Sequence, residues 1–334
     1  MENGWHIVPI DKGGSGNGGA IFVANGADGK VNPWVTDGTG KGTSELSVAG
    51  ASPDGLSPTD LLSLGKEVVF TGIDSHFRSQ IWVTDGTKIG TKEISVAGLS
   101  NPHNYVAMQV AGFEKTFFNG TATFGLQVPN LWVTNLTAAG TSEFSVPGQS
   151  SAGLDPQDLT FGDLTLIAKY AFLNGVDANS NRNLFVTQGT QVTTSEILVP
   201  GVTALNPTNM FAFGGLVLLD GTDANGHRNL FESNGTSAGT SEITIPGIAS
   251  LDPSNFAALN NSDVLFQGDG ASGGRVLYRL NTVDLGAVEI SVPGGLSTGL
   301  QPSNITPNAA ILKKLLHGCR LGSLGDGRRL GWDL

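Results

Sequence analysis

Six glutamates, Glu45, Glu93, Glu143, Glu196, Glu242 and Glu289, and four aspartates, Asp28, Asp74, Asp177 and Asp223, recur at matching places along this chain of 334 residues. Carboxylates arranged in this way have three chemistries open to them: paired acid and base work on a glycoside, ligation of a hard cation, or hydrogen bonding to their own backbone. Each of the four aspartates stands two residues after a glycine, and one stretch reads Asp177-Ala178-Asn179-Ser180-Asn181. Oxygen side chains at alternate loop positions can converge on calcium, which takes roughly six to eight oxygen ligands. Asp177, Asn179 and Asn181 are therefore the candidate metal ligands. With Asp28, Asp74, Asp223 and Asn225 they form a candidate ligand-binding face. The loop lacks the glycine and the bidentate glutamate of an EF-hand, and Asx-turn chemistry accounts for the same residues without metal. Nothing in the spacing selects a pair of carboxylates for glycoside chemistry.

Other constellations are thin, and no catalytic residue is assigned. His6, His76, His103, His227 and His317 are scattered, with no pair at metal-ligand spacing. Gly270-Ala271-Ser272-Gly273-Gly274 matches GxSxG but falls in a predicted hairpin loop, without the strand-to-helix elbow a nucleophile needs. Gly14, Gly16 and Gly19 match GxGxxG, yet Ala20 to Ala24 reads as a strand where a pyrophosphate site requires a helix. Asn119-Gly120-Thr121, Asn135-Leu136-Thr137 and Asn234-Gly235-Thr236 are formal glycosylation sequons that turn composition explains equally well.

These residues sit inside a sentence written six times. It opens on an aromatic residue, at Trp34, Trp82, Trp132, Phe185, Phe231 and Tyr278, and closes on a glycine, at Gly50, Gly98, Gly148, Gly201, Gly247 and Gly294. In the second copy, turn signals and alternation predict strands at about residues 61–64, 68–71, 81–84 and 93–96. Val68-Val69-Phe70-Thr71 has the continuous apolar character of a strand buried on both faces. Four short strands in about 48 residues make the meander of one propeller blade. The expected fold is all-β, a six-bladed antiparallel β-propeller over residues 1–308, in preference to a parallel β-solenoid.

Recurring residues receive local roles. Pro58, Pro102, Pro156, Pro207, Pro253 and Pro302 mark the handover between units. Gly26, Gly72, Gly120, Gly175, Gly221 and Gly268 are expected to supply positive φ where the second strand ends. The glutamates are expected on outer edge strands, where a charge blocks pairing with another molecule. Leu300 to Ile305 is expected to complete the first blade and close the ring through the C-terminal strand, with Trp5 to Ile10 as the rival for that place. Residues 309–334 read as a basic tail.

A formal charge of -11 and a pI near 4.8 argue against nucleic acid, whose phosphates demand clustered Lys and Arg. No apolar run is long enough for a transmembrane helix, residues 1–11 lack the pattern of a secretory signal, and Cys319 stands alone, which excludes a disulfide framework.

Trp82 to Thr91 and Trp34 to Thr43, and more loosely Trp132 to Thr141, resemble the bacterial repeat family with the consensus ELWxxDGTxxGT, although the family glutamate before Leu-Trp is absent. The resemblance spans roughly residues 20–306 and implies a repeat fold and a location outside the cell or on the bacterial surface. The expected function is a non-enzymatic binding or interaction module, adhesin-like, with a glycan or surface protein as partner and calcium as the one cofactor to test. A hydrolase or lyase acting on carbohydrate or peptide at an axial pocket, and a structural element of a surface layer or appendage, are the alternatives.

Overall fold

The computed structural model describes residues 7–11, 18–110, 113–122, 129–161, 170–291 and 305. They form six four-stranded antiparallel sheets, each running in chain order. Sheet one is Ile7–Asp11, Gly18–Asn25, Val31–Thr36 and Ser44–Glu45; sheet two is Thr59–Ser63, Val68–Ile73, Ser79–Thr84 and Lys92–Ile94. Sheet three is Leu99–Val110, Phe113–Ala122, Pro129–Thr134 and Ser142–Glu143; sheet four is Gln157–Phe161, Ala171–Val176, Arg182–Thr187 and Thr194–Ile197. Sheet five is Thr208–Phe213, Leu216–Thr222, Arg228–Ser233 and Thr240–Ile243; sheet six is Ser254–Ala258, Asp263–Asp269, Arg275–Asn281 and Ala287–Glu289. One compact unit holds sheets one to four, and a second holds sheets five and six. The only helical elements among the described residues are three single 3₁₀ turns, and no helix there is long and apolar enough to cross a membrane. Residues 309–334, the expected basic tail, lie outside the described residues.

The apolar run of the second strand works as its composition predicts. In sheet two, Val68 and Phe70 pack with Ile10, Ile21, Val35 and Leu46 of sheet one, while Val69 on the other face joins Phe118 and Trp132 of sheet three. Sheet three meets sheet four through Phe117, Leu131, Leu173 and Phe185. In the second unit Leu218 and Leu230 of sheet five meet Phe266 and Tyr278 of sheet six. Period-two alternation on a sheet covered on both faces thus gives every sheet of such a stack two apolar surfaces.

Two expectations are corrected. Sheet one has its own first strand, Ile7–Asp11, which pairs with Gly18–Asn25 from Ile7↔Phe22 to Asp11↔Gly18. The first sheet is therefore completed from the N-terminal side and not by the C-terminal strand; residues 300–304 lie outside the described residues. The physical reason is that Ile10 seats in the core shared with sheet two, where it is 2% exposed, while Pro9 lies on a strand bonded along one side only, so its missing N–H costs no ladder bond. The Asp11 N–H then donates to the Gly65 carbonyl of sheet two at 2.7 Å.

The second correction concerns the glycine that follows the second strand's polar residue. Gly72, Gly120 and Gly221 lie within strands and have no positive φ. They are glycine because a Cβ at Gly120 would stand 2.5 Å from Leu99 Cδ1 and 2.9 Å from Trp132 Cδ1, with the same crowding by Leu56 and Trp82 at Gly72. The handover leucine and the repeat's aromatic ring close over the backbone at that point. Gly120→Ala should therefore lose about 2 kcal/mol or more by overpacking. Gly38→Ala, where φ is +87° but the space is open, should lose only about 1 kcal/mol from backbone conformation. Urea unfolding of both variants checks the order, and a larger loss at Gly38 would refute the packing argument.

Candidate functional site

The Trp-Val-Thr-Asp-Gly-Thr signature folds into a self-contained knot. Thr84 Oγ1 and Thr91 Oγ1 lie 2.6 Å apart across the turn in a buried contact. Asp85 Oδ1 accepts the Thr87 N–H at 2.8 Å and its hydroxyl at 2.6 Å, Thr87 Oγ1 accepts the Gly90 N–H at 2.9 Å, and Thr91 donates to the Thr87 carbonyl at 2.6 Å. Asn135 and Asn234 stand in for the aspartate with the same two bonds to Thr137 and Thr236. An amide oxygen suffices because the role is that of a neutral acceptor. The motif's chemistry is consumed in holding the turn.

The recurring glutamate lies on the fourth, outer strand as expected, directly opposite the aromatic residue, as in Trp34↔Glu45 and Phe231↔Glu242. Its carboxylate does more than mark an edge. Asn32, Asn130, Asn183 and Asn229, each two residues before the aromatic, donate Nδ2 to Glu45, Glu143, Glu196 and Glu242 at 2.5–2.8 Å. The same asparagines turn Oδ1 to the next handover: Leu56, Leu154 and Leu251 donate their N–H groups to Asn32, Asn130 and Asn229 at 2.8, 2.7 and 3.0 Å. One carboxamide thus ties two strands of a sheet to the start of the next.

The predicted binding residues form one Asx turn in each of sheets one, two, four and five. Asp74, 1% exposed, accepts the N–H groups of His76 and Arg78 on Oδ1 at 2.8 and 2.9 Å, and the Arg78 Nε and Nη2 on Oδ2 at 2.8 and 2.7 Å. Burial alone would push this carboxyl up; the Arg78 and His76 donors outweigh it and hold it below its ordinary value. Asp177 Oδ1 accepts the N–H groups of Asn179 and Asn181, both at 2.8 Å, and Oδ2 faces the amide nitrogens of Asn181 and Asn183 at 3.4 and 3.2 Å. In the second unit Asp223 does the same with Asn225 and His227, and exposed Asp28 pairs with Lys30 at 3.2 Å. In the first unit these turns share their end of the sheets with the handovers, since the Ser75 N–H donates to the Gly50 carbonyl and that of Ala178 to Gly148.

Asp177, Asn179 and Asn181 do come together, but around N–H donors that a calcium ion would have to displace. Among the described residues no three His, Cys, Asp or Glu side chains gather as a metal site. Burial raises the carboxyls of Glu93, Glu196 and Glu242, and the charges of Asp74, Asp177 and Asp223 add to that effect. Asn183 donates to both Asp177 and Glu196, and Asn229 to both Asp223 and Glu242, so these carboxylate pairs are bridged.

Catalytic geometry does not assemble at the other candidates. Ser75, His76 and Asp74 are of the right types, yet Ser75 Oγ lies 3.5 Å and Asp74 Oδ2 3.9 Å from the same His76 Nδ1. A relay needs acid and nucleophile on opposite ring nitrogens. Ser272 sits in an exposed turn between two strands. Asn119 of the first sequon is 2% exposed and donates to the Pro156 carbonyl, which closes it to modification.

Sequence reasoning missed three arginines, Arg182, Arg228 and Arg275, each three residues before the aromatic of its sheet. Each donates to the carbonyl of the residue before the handover proline, at Asp155, Asn206 and Asp252. Arg228 also pairs with Asp220, a carboxylate 2% exposed whose Oδ1 has no partner. The repeated Arg-x-x-aromatic spacing was the available signal.

No protein-family model matches this sequence, and neither does any curated protein. Solved structures with a similar arrangement include a Mycobacterium tuberculosis puromycin-hydrolyzing peptidase, at 13% identity and a TM-score of 0.49 over 86% of this chain and 45% of that one. Others are oligopeptidase B from Leishmania major, at 7% and 0.47 over 86% and 40%, and the extracellular domain of a candidate one-component system from B. thetaiotaomicron, at 10% and 0.45 over 89% and 34%. The chain spans less than half the length of each. The expectation of a non-enzymatic, adhesin-like module is withdrawn here: proteins of similar arrangement carry peptidase names, and a likeness of this size gives this chain no role of its own. The activities in those names belong to those proteins.

Proposed function

We infer that this chain is a peptidase-related propeller-type scaffold, which orders peptide for catalytic groups held on another segment or protein. The observation that carries the scaffold role is the fate of the recurring polar residues. Threonine pairs, Asx turns and asparagine clamps are spent on holding sheets together, and among the described residues no nucleophile, base and acid meet in working geometry. The names of the similar structures set the substrate class to test and nothing more.

The six meanders also support a finer proposal, a β-propeller in which each sheet is one blade, because each has the four antiparallel strands of a blade in chain order.

The functional test is direct. Purified chain incubated with aminoacyl and dipeptidyl fluorogenic amides should give no turnover above buffer, while the same peptides without the fluorogenic group should bind saturably. Turnover that co-purifies with the chain would overturn the proposal, as would the absence of any peptide binding.

A further inference from the structure

The passage from sheet two to sheet three departs from every other handover. Elsewhere the closing glycine is separated from the handover leucine by several residues, as from Gly50 to Leu56, Gly148 to Leu154 and Gly247 to Leu251; here Leu99 follows Gly98 directly. The place of the clamp asparagine is taken by Gln80, which is 4% exposed. In the clamps of Asn32, Asn130 and Asn229 the amide oxygen receives a leucine N–H, but the Leu99 N–H goes to the Val96 carbonyl at 3.3 Å, and Gln80 Oε1 is buried with no hydrogen-bond partner.

Beside this short handover lies a cavity of about 560 Å³, lined among others by Gln80, Arg78, Ser95, Val96, Ala97 and Leu99. Its size is within the range of small-ligand sites. Asp74 holds Arg78 by Nε and Nη2, which orients the guanidinium while leaving the side chain 58% exposed. The walls thus combine a carboxamide lacking a donor, an oriented cation and a small apolar surface. A buried acceptor without a partner costs about 1–3 kcal/mol, and a ligand N–H that reached it would recover that cost.

We propose that this cavity binds the end of a short peptide, with its last amide N–H on Gln80, its C-terminal carboxylate on Arg78 and a small apolar side chain against Val96, Ala97 and Leu99. The ligand's N–H does there what the leucine N–H does in the other handovers. The site stands apart from the scaffold reading: that reading concerns longer peptide ordered anywhere on the chain for outside catalytic groups, and survives if this cavity is empty of function.

The experiment uses the full chain and N-acetyl-alanyl-alanine, with the C-terminally amidated form as control, followed by calorimetry and by hydrogen exchange. Saturable binding of the free acid is expected, weakened about tenfold by amidation and by Gln80→Leu, with exchange protection confined to residues 78–80 and 95–101. Gln80→Leu should melt no lower than the parent, since it removes an unpartnered acceptor. Failure of the free acid to bind at millimolar concentration would overturn the proposal. So would equal affinity for the amidated form, or protection lying elsewhere in the unmodified chain, a result that needs no variant to fold.

Discussion

Arg228→Met should destabilise the protein by about 3–5 kcal/mol, with a loss that deepens as pH rises. Arg228 reaches the Asn206 carbonyl at 2.7 Å, Thr208 Oγ1 at 2.6 Å, Thr222 Oγ1 at 3.1 Å and Asp220 Oδ2 at 2.5 Å. Removing the guanidinium leaves Asp220 buried without its counter-charge. Burial already holds the Asp220 carboxyl above its ordinary value of 3.8, with Arg228 pulling it back. A carboxyl whose folded pKa exceeds its unfolded one is disfavoured in its charged form. Its cost is therefore absent below the unfolded value and grows as pH climbs to the folded one. Without Arg228 that interval widens, so the variant should differ least from the parent in acid and most at neutral pH. Denaturant unfolding at both pH values measures it, and adding Asp220→Asn should restore much of the neutral-pH loss. An equal loss at both would assign the effect to the uncharged bonds.

Asn229→Ala should cost about 2–4 kcal/mol. Its Nδ2 donates to Glu242 at 2.8 Å and to the Ala249 carbonyl at 3.2 Å, and its Oδ1 accepts from Leu251. Truncation strands a half-buried carboxylate, while the Leu251 N–H keeps the Arg228 carbonyl at 2.8 Å. Glu242→Gln should cost far less, because the Glu242 carboxyl is raised by burial and by Asp223, and a neutral acceptor still fits. A double-mutant cycle between Asn229 and Glu242 should return a coupling of about 1 kcal/mol or more. Additivity there would mean that asparagine acts through Leu251 alone.

The repeat, its four strands and the end of the sheet that carries the aspartates were legible because they follow from period and turn chemistry. The strands at Val68–Ile73 and Ser79–Thr84 fall where alternation places them, within two residues. The asparagine clamp was not legible: Asn32, Asn130, Asn183 and Asn229 register in the sequence only as a missing family glutamate, and their partners lie 13 residues away on another strand. Gly72 and Gly120 are required by packing of leucine and tryptophan, which a local argument from φ does not see. The first strand of sheet one is the sequence's rival reading, because Leu300 to Ile305 carries the handover proline that the first unit lacks, whereas Pro9 only restricts Ile7–Asp11 to an outermost position. Gln80 shows the limit differently: asparagine to glutamine looks conservative until the shortened handover beside it is in view.

The clamp also has a last member that lacks it. In sheet six the asparagine's place is held by Val276, buried in the core, and this offers Glu289 no amide. Members of a stacked array are held chiefly by ties to their neighbours, and segments with few ties open at low free energy without global unfolding. Among the described residues of its unit, Ala287–Glu289 is accordingly the strand expected to fray, with amide protons that exchange ahead of those of Thr240–Ile243. Thr240–Ile243, fastened through Asn229, keeps its ladder closed.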